Sequence, residues 1–424
     1  MRVVSKPPPN IGSRLCCFKI PSPTCLSLVQ LIYFLILLAS YSTNVLASNN
    51  LTTNNSLRIR RGAPSSNIEA VFDTGNSSIK LQHLVYNVEN NRIYIGGTNR
   101  LYELDANNLE TKAVIETGPR LDSIKCHASG CDSTSSHQLV RADNFNKILV
   151  LDPASATLIM CGSVSQGACN KFRTANISLT PEYIPKSVAA NDAESSTYAF
   201  IGPERYKVWG GSEALYVGTT FTALGDYRHD VPAISTRNLY DLDYAEYSFS
   251  TQSLLRIDVK YRDHFLVRYV YGFNATDYAY FVTVQKKSHL PGQEETGYIS
   301  RLARSCISDP NYNTYTEITL SCQGQRKSYN IVQDAKLVSA GAELAFSLGI
   351  RPGDSILVAS FASSKGHTIE TEEDSGICIF SMQDIETKFN ENVHMCFNGS
   401  MQYRNMEYVS GLIEDGKCPA AGVS

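Results

Sequence analysis

The sequence lacks several features that mark common classes of protein. Of its 424 residues only one is tryptophan, charged residues make up 19%, and the formal net charge is −3. A nearly neutral chain has no broad basic surface, so a nucleic-acid partner is not expected. The glycine-rich dinucleotide loop, the P-loop, the His-Glu-x-x-His zinc motif and the Gly-x-Ser-x-Gly nucleophile turn are missing from the sequence. Their absence argues against the enzyme classes that depend on them.

Candidate catalytic side chains are present but scattered. The eight histidines occur singly, and lone residues such as His264 and His289 indicate surface or satisfied positions rather than metal ligands. The acidic groups Asp241/Asp243 and Glu372–Asp374 lie in polar, loop-like sequence, which is typical of a solvated face and not of paired glycosidase acids. We therefore expect no enzyme activity, no catalytic residue, no metal and no cofactor.

The first 47 residues have the pattern of a signal peptide. Four basic residues precede an apolar run from Leu26 to Ala39, and Val45 to Ala47 provide a small-residue cleavage site. The alternative is a type II signal anchor, although the run is short for a membrane span of about 20 residues. No other stretch of the sequence has the composition of a span, so residues after Ala47 are expected in the secretory pathway and outside the cell.

Glycosylation motifs agree with that location. Asn-x-Ser/Thr sequons, which need exposed backbone, begin at Asn50, Asn54, Asn76, Asn176, Asn274 and Asn398. Residues 48–67 have no apolar periodicity and are predicted to be a disordered leader. Within that leader, Arg58 to Arg61 has the spacing of a basic processing site, and a solvated basic patch is the simpler interpretation.

From His83 onward the chain alternates short strand patterns with turns. The first four predicted strands, His83–Val88, Arg92–Thr98, Arg100–Asp105 and Lys112–Glu116, fill about one propeller blade. Similar apolar strands recur further along at Lys147–Asp152, Thr157–Gly162, Ala214–Thr220, Tyr278–Val284 and Ser355–Phe361. Residues 334–348 deviate and predict a strand followed by a short helix that stops at Gly349. The pattern predicts an all-β radial array of blades.

Nine cysteines follow the targeting segment, at positions 126, 131, 161, 169, 306, 322, 378, 396 and 418. In an oxidising compartment they should pair. Cys126 and Cys131, like Cys161 and Cys169, are close enough for local bridges across a turn. Nine is an odd number, so either one thiol is free or its partner lies outside this chain. A zinc site around Cys126 and Cys131 is not favoured, because no second ligand pair has suitable spacing.

Several segments together resemble one family, the plexins, whose extracellular part begins with a sema domain. The first-blade signature of sema domains is similar to Ile93–Tyr102, and the plexin cysteine loop is similar to Cys161–Cys169. The most diagnostic segment, Tyr269–Phe273 followed by Tyr280–Gln285, resembles plexins. Gly376–Phe380 matches the sema strand that carries a bridging cysteine, and Tyr227–Ser235 looks like an invertebrate class A plexin. The resemblance covers residues 68–424.

The resemblance implies a seven-bladed β-propeller, of which this chain would hold about five blades. It implies four disulfides: Cys126–Cys131, Cys161–Cys169, Cys322–Cys378 and Cys396–Cys418. Cys306 would then pair with a cysteine shortly beyond residue 424. Because two blades would be missing, we expect the chain expressed alone to misfold or aggregate.

The resemblance also implies a function. The propeller of a plexin docks a semaphorin in axon guidance and cell-migration signalling, at a surface that includes the segment around Ala421. Receptor self-association is a further expectation, and membrane attachment would come only from a span absent from this chain. The alternatives are a semaphorin, which is a ligand of the same fold, a secreted decoy fragment, and a propeller enzyme with acids on its central face.

Overall fold

Five antiparallel sheets follow one another along the chain in the computed structural model. The structure describes residues 70–131, 138–204, 213–229, 231–248, 251–293, 296–325, 327–397 and 406–410. Four of the five sheets are meanders in which consecutive strands are neighbours, which is the arrangement of a propeller blade, and the third sheet also takes in a strand from the end of the described chain. The predicted signal peptide, the predicted leader and the basic site at Arg61 lie outside the described residues.

The strands of the five blades have the following bounds. Blade one contains β1 (Leu81–Asn87), β2 (Arg92–Gly97), β3 (Arg100–Asp105) and β4 (Thr111–Glu116), and a small hairpin of β5 (Arg120–Asp122) and β6 (Val140–Ala142) follows it. Blade two contains β7 (Asn146–Asp152), β8 (Thr157–Gly162), β9 (Cys169–Arg173) and β10 (Glu182–Ile184). Blade three contains β11 (Thr197–Pro203), β12 (Glu213–Thr219) and β13 (Ile234–Arg237), then a small hairpin of β14 (Glu246–Ser248) and β15 (Thr251–Gln252), then β16 (Leu254–Ile257).

The second half of the chain contributes two blades, two helices and a returning strand. Blade four contains β17 (Arg268–Ala275), β18 (Tyr278–Lys286), β19 (Tyr298–Cys306) and β20 (Thr316–Leu320), followed by the hairpin β21 (Cys322–Gln323) and β22 (Ser328–Tyr329). Blade five contains β23 (Ile331–Ser339), helix α1 (Ala342–Leu348), β24 (Ser355–Ser364) and β25 (Thr371–Ser381). Helix α2 (Met382–Phe397) comes next, and β26 (Val409–Ser410) ends the described chain.

The blades are arranged around a common axis. The first strands of successive blades, β1, β7, β11, β17 and β23, pack side by side as an inner ring. Within the described residues, β23 and β1 do not make an equivalent contact, so the five blades form an open arc. The prediction of an all-β propeller with about five blades in this chain is confirmed.

Apolar side chains on both faces of each blade hold neighbouring blades together. Strand β12 is buried at nearly every position, as is β18, because each lies inside a blade that is covered on both sides. The largest core lies between blades four and five and is centred on Tyr280, Phe361 and Phe380. Burying each such side chain stabilises the fold by about 1.5–3 kcal/mol, so blade-to-blade contact is the main source of stability.

The two helices differ in how well the sequence indicated them. Helix α1 ends where predicted, at Gly349, which has the left-handed φ of 69° that a helix C-cap favours. Helix α2 was not predicted. Its start is marked by Ser381, whose hydroxyl accepts a hydrogen bond from the Asp384 backbone N–H at 3.0 Å. Its buried face repeats at Ile385 and Phe389. The capping serine and the apolar spacing are both present in the sequence and could have indicated this helix.

A short strand returns to blade three after α2. Strand β26 pairs with β16 in antiparallel register and becomes the fifth strand of blade three. The chain therefore leaves blade three, builds blades four and five, and then comes back to the outer edge of blade three. None of the helices in the described ranges is long and apolar enough to span a membrane.

Candidate protein-binding surface

The connections between strands emerge alternately at two faces of the propeller, because adjacent strands are antiparallel. One face carries the connections between second and third strands and those that lead to the next blade. We call it the loop face; around blade three its connections are residues 163–168, 185–196, 220–233 and 258–267. The loops at residues 220–233 and 258–267 flank β16 at the edge that receives β26.

A fully buried arginine holds the 220–233 loop in place. Arg228 is 0% exposed, and its Nε donates to the Thr222 hydroxyl at 3.0 Å while its Nη1 donates to the Gln166 carbonyl of blade two at 3.0 Å. Loss of hydration lowers the pKa of Arg228 to about 10, so the guanidinium remains charged at neutral pH. The loop is thus tied to the neighbouring blade by charge-assisted hydrogen bonds.

The same loop needs glycine at one position. Gly225 has φ of 104°, and a Cβ there would lie 2.0 Å from the Ile124 carbonyl oxygen. Ile124 belongs to the connection between β5 and β6, and its carbonyl also accepts a hydrogen bond from the Gln166 side chain at 3.0 Å. Three connections on the loop face therefore pack as one unit.

The returning strand is anchored by a buried polar cluster in blade four. The Asp258 N–H donates to the Tyr408 carbonyl at 2.8 Å, and the Tyr408 hydroxyl donates to the Glu317 carboxylate. Tyr315 donates to the same carboxylate at 2.7 Å, and the Tyr408 ring packs on Phe265 at 4.4 Å. Burial, and then the negative charge of Glu317, raise the pKa of both tyrosine hydroxyls.

A small open hollow lies between the loop and β16. We call it the blade-three hollow, and its lining residues are Phe221, His229, Val231, Ala233, Arg256, Ile257 and Arg262. Both β-ladder partners of β26, Arg256 and Ile257, belong to this lining. The hollow therefore adjoins the point at which the chain continues toward residues 411–424.

Two cationic groups and one imidazole give the hollow its chemistry. The Arg262 guanidinium packs over the Phe221 ring at 4.9 Å and donates from Nη1 to the His229 carbonyl at 3.0 Å. Its Nη2 lies 2.9 Å from His229 Nδ1, and arginine can only donate, so Nδ1 is the acceptor. The proton of a neutral His229 is then on Nε2. None of the described lining residues is acidic, and Asp230, which lies between His229 and Val231 in the sequence, is outside the described residues.

Three of the disulfide pairs that the resemblance implied are bonded in the structure: Cys126–Cys131, Cys161–Cys169 and Cys322–Cys378. Cys161 and Cys169 face each other directly across strands β8 and β9. Cys396 is also disulfide-bonded, and its predicted partner Cys418 lies outside the described residues. Cys306, which is half-buried, is the free cysteine of the described part of the chain.

The predicted sequons occupy different surroundings. Asn76 and Asn176 are exposed at turns, and each accepts a hydrogen bond from the backbone N–H two residues later, that of Ser78 at 3.0 Å and of Ser178 at 2.9 Å. Asn274 is half-buried near the end of the inner strand β17. Asn50, Asn54 and Asn398 lie outside the described residues, as does the predicted ligand contact Ala421.

The acidic and histidine candidates do not assemble into a catalytic or metal site in the described structure. The Nε2 of His264 lies 3.1 Å from the carbonyl oxygen of His289, and the Nε2 of His289 lies 3.5 Å from a carboxylate oxygen of Glu407. Glu372 and Asp374 contact Lys327 at the surface. No group of three or more potential metal ligands is found among the residues that the structure describes. The blade-three hollow was missed by sequence analysis, because its residues come from separate segments.

Known proteins similar to this chain are plexins. No family model matches the chain. Human Plexin-A4 is 29% identical over 359 residues, covering 81% of this chain and 19% of that protein. Human Plexin-A2 is 27% identical over 368 residues, covering 84% of this chain and 19% of that protein. A solved structure of the full extracellular region of Plexin A4 matches with a TM-score of 0.65 and 26% identity, covering 74% of this chain and 35% of that one.

This chain spans about a fifth of the length of these curated relatives. The sequence and structure comparisons agree on the same group of proteins. The chain is therefore similar to the class A plexins, and its described residues form a β-propeller like that of the Plexin A4 extracellular region.

Proposed function

We propose that this chain is the ligand-binding propeller of a plexin-type receptor and that it docks a semaphorin outside the cell, in axon-guidance and cell-migration signalling. The relatives at 27–29% identity are plexins, and the similar solved structure is an extracellular region. A propeller offers a broad rigid surface on its loops and edges, which suits an interface of standard size.

One observation carries the location of the proposed interface. Strand β26 brings the chain back to blade three beside the 220–233 loop and the blade-three hollow, and the predicted contact residue Ala421 comes 11 positions after the end of this strand in the sequence. Residues distant in sequence would thus contribute to one surface. The loop is held by Arg228 and the strand by Tyr408, so little conformational freedom would be lost on binding.

The remaining features of the proposal concern processing and covalent chemistry. We propose a signal peptide over residues 1–47, a sema domain from residue 68 onward, a Cys396–Cys418 bridge, and a partner for Cys306 outside this chain. The glycan positions are the six sequons. Bonded cysteines and the extracellular character of the relatives support placement outside the cell.

The test is binding by the complete ectodomain. A panel of semaphorin ectodomains is measured by surface plasmon resonance against the wild type and Ala421→Glu. An unpaired charge placed in the contact should weaken binding by tenfold or more. The matched control is Ala342→Glu, at an exposed site in the first turn of α1 in blade five, where an acidic residue suits the helix dipole.

Each result has a separate meaning. Weaker binding by Ala421→Glu with an unchanged control supports the proposed surface, whereas equal affinity of all three proteins places the interface elsewhere. A semaphorin has the same fold, so the panel also includes plexin ectodomains. Binding to plexins and to none of the semaphorins would assign this chain to the ligand side.

A further inference from the structure

We propose that Tyr240 is a tyrosine-sulfation site, at which a sulfotransferase of the secretory pathway converts the phenol into a sulfate ester. The sulfo group would come from a phosphoadenylyl sulfate nucleotide. This inference rests on the extracellular location in the proposed function, and it is independent of which protein the propeller binds. The feature that carries it is an exposed tyrosine in a turn that also holds Asp241 and Asp243.

Exposure separates Tyr240 from the other described tyrosines. Tyr240 is 80% exposed, and the next most exposed are Tyr227 at 43% and Tyr183 at 41%. The hydroxyl of Tyr183 already donates a hydrogen bond to the Ala128 carbonyl. A transferase must enclose the phenol oxygen together with its donor nucleotide, so the ring has to stand clear of the protein surface. Tyr240 meets that requirement without any rearrangement of the fold.

The turn that carries Tyr240, between β13 and β14, has a well-fixed backbone. The side-chain oxygen of Asn238 accepts hydrogen bonds from the N–H of Tyr240 at 2.9 Å and of Asp241 at 3.0 Å. Lys171 of β9 donates to the Tyr240 carbonyl at 2.8 Å, and Leu242 is fully buried beneath the turn. The backbone is thus held on the blade while the phenol remains in solvent.

The charges around the phenol suit a transferase. Asp241 follows Tyr240 directly, and Asp243 follows two residues later. Arg237, the nearest basic residue in the sequence, is 2% exposed and donates inward to the Leu242 carbonyl at 2.8 Å. The donor nucleotide carries several negative charges, so the enzyme that binds it needs a basic cleft. An acidic acceptor segment complements such a cleft.

A second tyrosine of the same segment is less suitable as an acceptor. Tyr244 lies between Asp243 and Glu246, so its sequence surroundings are also acidic. It is half-buried, however, and its ring packs against the Arg237 guanidinium at 4.4 Å. Transfer to Tyr244 would require the loss of that cation–π contact. The side chain of Tyr247 lies outside the described residues, and the experiment below distinguishes it from Tyr240.

The transfer is balanced without an oxidant or a reductant. The phenol oxygen of Tyr240 attacks the sulfur of the donor, and a new O–S bond forms while the S–O bond to the nucleotide phosphate breaks. The nucleotide leaves with that electron pair, and the phenol proton passes to a base of the transferase. The ester adds one fixed negative charge beside Asp241, facing the Lys171 ammonium that lies 5.9 Å from the Tyr240 ring centroid.

The experiment examines the complete ectodomain secreted by animal cells. Mass spectrometry of the tryptic peptide 238–256 should find a sulfo group that Tyr240→Phe removes and that chlorate, which blocks synthesis of the donor, prevents. Asp241→Asn should lower the modified fraction several-fold, because it removes the adjacent charge but keeps the oxygen that accepts the Asp243 N–H at 3.0 Å. The matched control is Asp73→Asn, at an exposed position before β1, which should leave the modified fraction unchanged.

The possible results are distinguishable. A sulfo group that Tyr244→Phe and Tyr247→Phe leave in place supports Tyr240 as the acceptor. A secreted wild-type ectodomain whose peptide 238–256 is unmodified overturns this inference and leaves the proposed function intact. A group that persists in Tyr240→Phe, or one that phosphatase removes, overturns it as well. A chain that never reaches the medium removes the proposed location and this inference with it.

Discussion

Ile257 and Val409 lie opposite each other in adjacent antiparallel strands, although blades four and five separate them in the sequence. Their pairing ties the outer edge of blade three to a segment that the chain makes much later. The entropy cost of closing the long loop between them has to be offset by the packing of the intervening blades. The proposed ligand surface therefore depends on completed folding of blades four and five.

The first prediction concerns the anchor of that pairing. Replacing Tyr408 with phenylalanine removes the donor that binds Glu317 and leaves part of a buried carboxylate without its partner. We expect a loss of about 1–3 kcal/mol in the free energy of unfolding, measured with urea on the complete ectodomain. Tyr240→Phe is the control, since Tyr240 is 80% exposed and its hydroxyl should contribute little. Equal stability of the two variants would contradict the anchoring role.

The second prediction is a loss of stability at alkaline pH. Burial raises the pKa of Tyr269, Tyr280, Tyr315 and Tyr408 above the ordinary value of 10.0. The folded state holds these protons more tightly than the unfolded state does. The resulting stability is fully present below pH 10 and is lost as pH rises from there toward the folded-state values. Urea midpoints should be flat from pH 8 to 9 and fall above pH 10, and a flat profile up to pH 11 would count against buried neutral tyrosines.

The sequence indicated the strands of the blades well and the binding surface poorly. Strands β3 and β8 have the bounds that alternation and flanking turns predicted, because those signals are local. Strand β26 has only two residues and takes its identity from β16, so no local pattern could reveal it. The blade-three hollow likewise joins Phe221 to Arg262 through folding alone. Helix α2 is the intermediate case, since its Ser381 cap and apolar spacing were present but weak.

The third prediction tests the close packing of the loop face. Gly225→Ala would place a Cβ 2.0 Å from the Ile124 carbonyl oxygen at a φ of 104°. We expect a destabilisation of about 2 kcal/mol or more, because both the contact and the backbone conformation are unfavourable. Gly353→Ala is matched for φ, at 90°, but has open space around the new Cβ. Gly353→Ala should therefore be destabilised only by its unfavourable backbone conformation. An equal loss of stability in both variants would show that the contact with Ile124 is not required.

The fourth prediction compares two disulfides. Cys322–Cys378 closes a separation of 56 residues and ties the β21–β22 hairpin to β25, whereas Cys161–Cys169 closes only 8. The chain-entropy relation gives about 4 kcal/mol for the longer loop and about 2.5 kcal/mol for the shorter one. Replacing each pair with alanines in the complete ectodomain should therefore destabilise it more for the Cys322–Cys378 pair. Chemical denaturation measures the difference, and the reverse order would show that native packing around Cys161 and Cys169 outweighs loop entropy.

The last prediction concerns Cys306 and the continuity of the propeller. Cys306 ends β19 and is unpaired among the described residues, while the other described cysteines are bonded. An accessible thiol in an oxidising compartment normally finds a partner, and the resemblance to plexins places that partner beyond residue 424. Peptide mapping of the mature, non-reduced ectodomain should find Cys306 linked to a cysteine that this chain does not contain. A bond between Cys306 and any of the other eight cysteines would contradict this prediction, because that cysteine would be lost either to one of the three pairs seen here or to the proposed Cys396–Cys418 bridge.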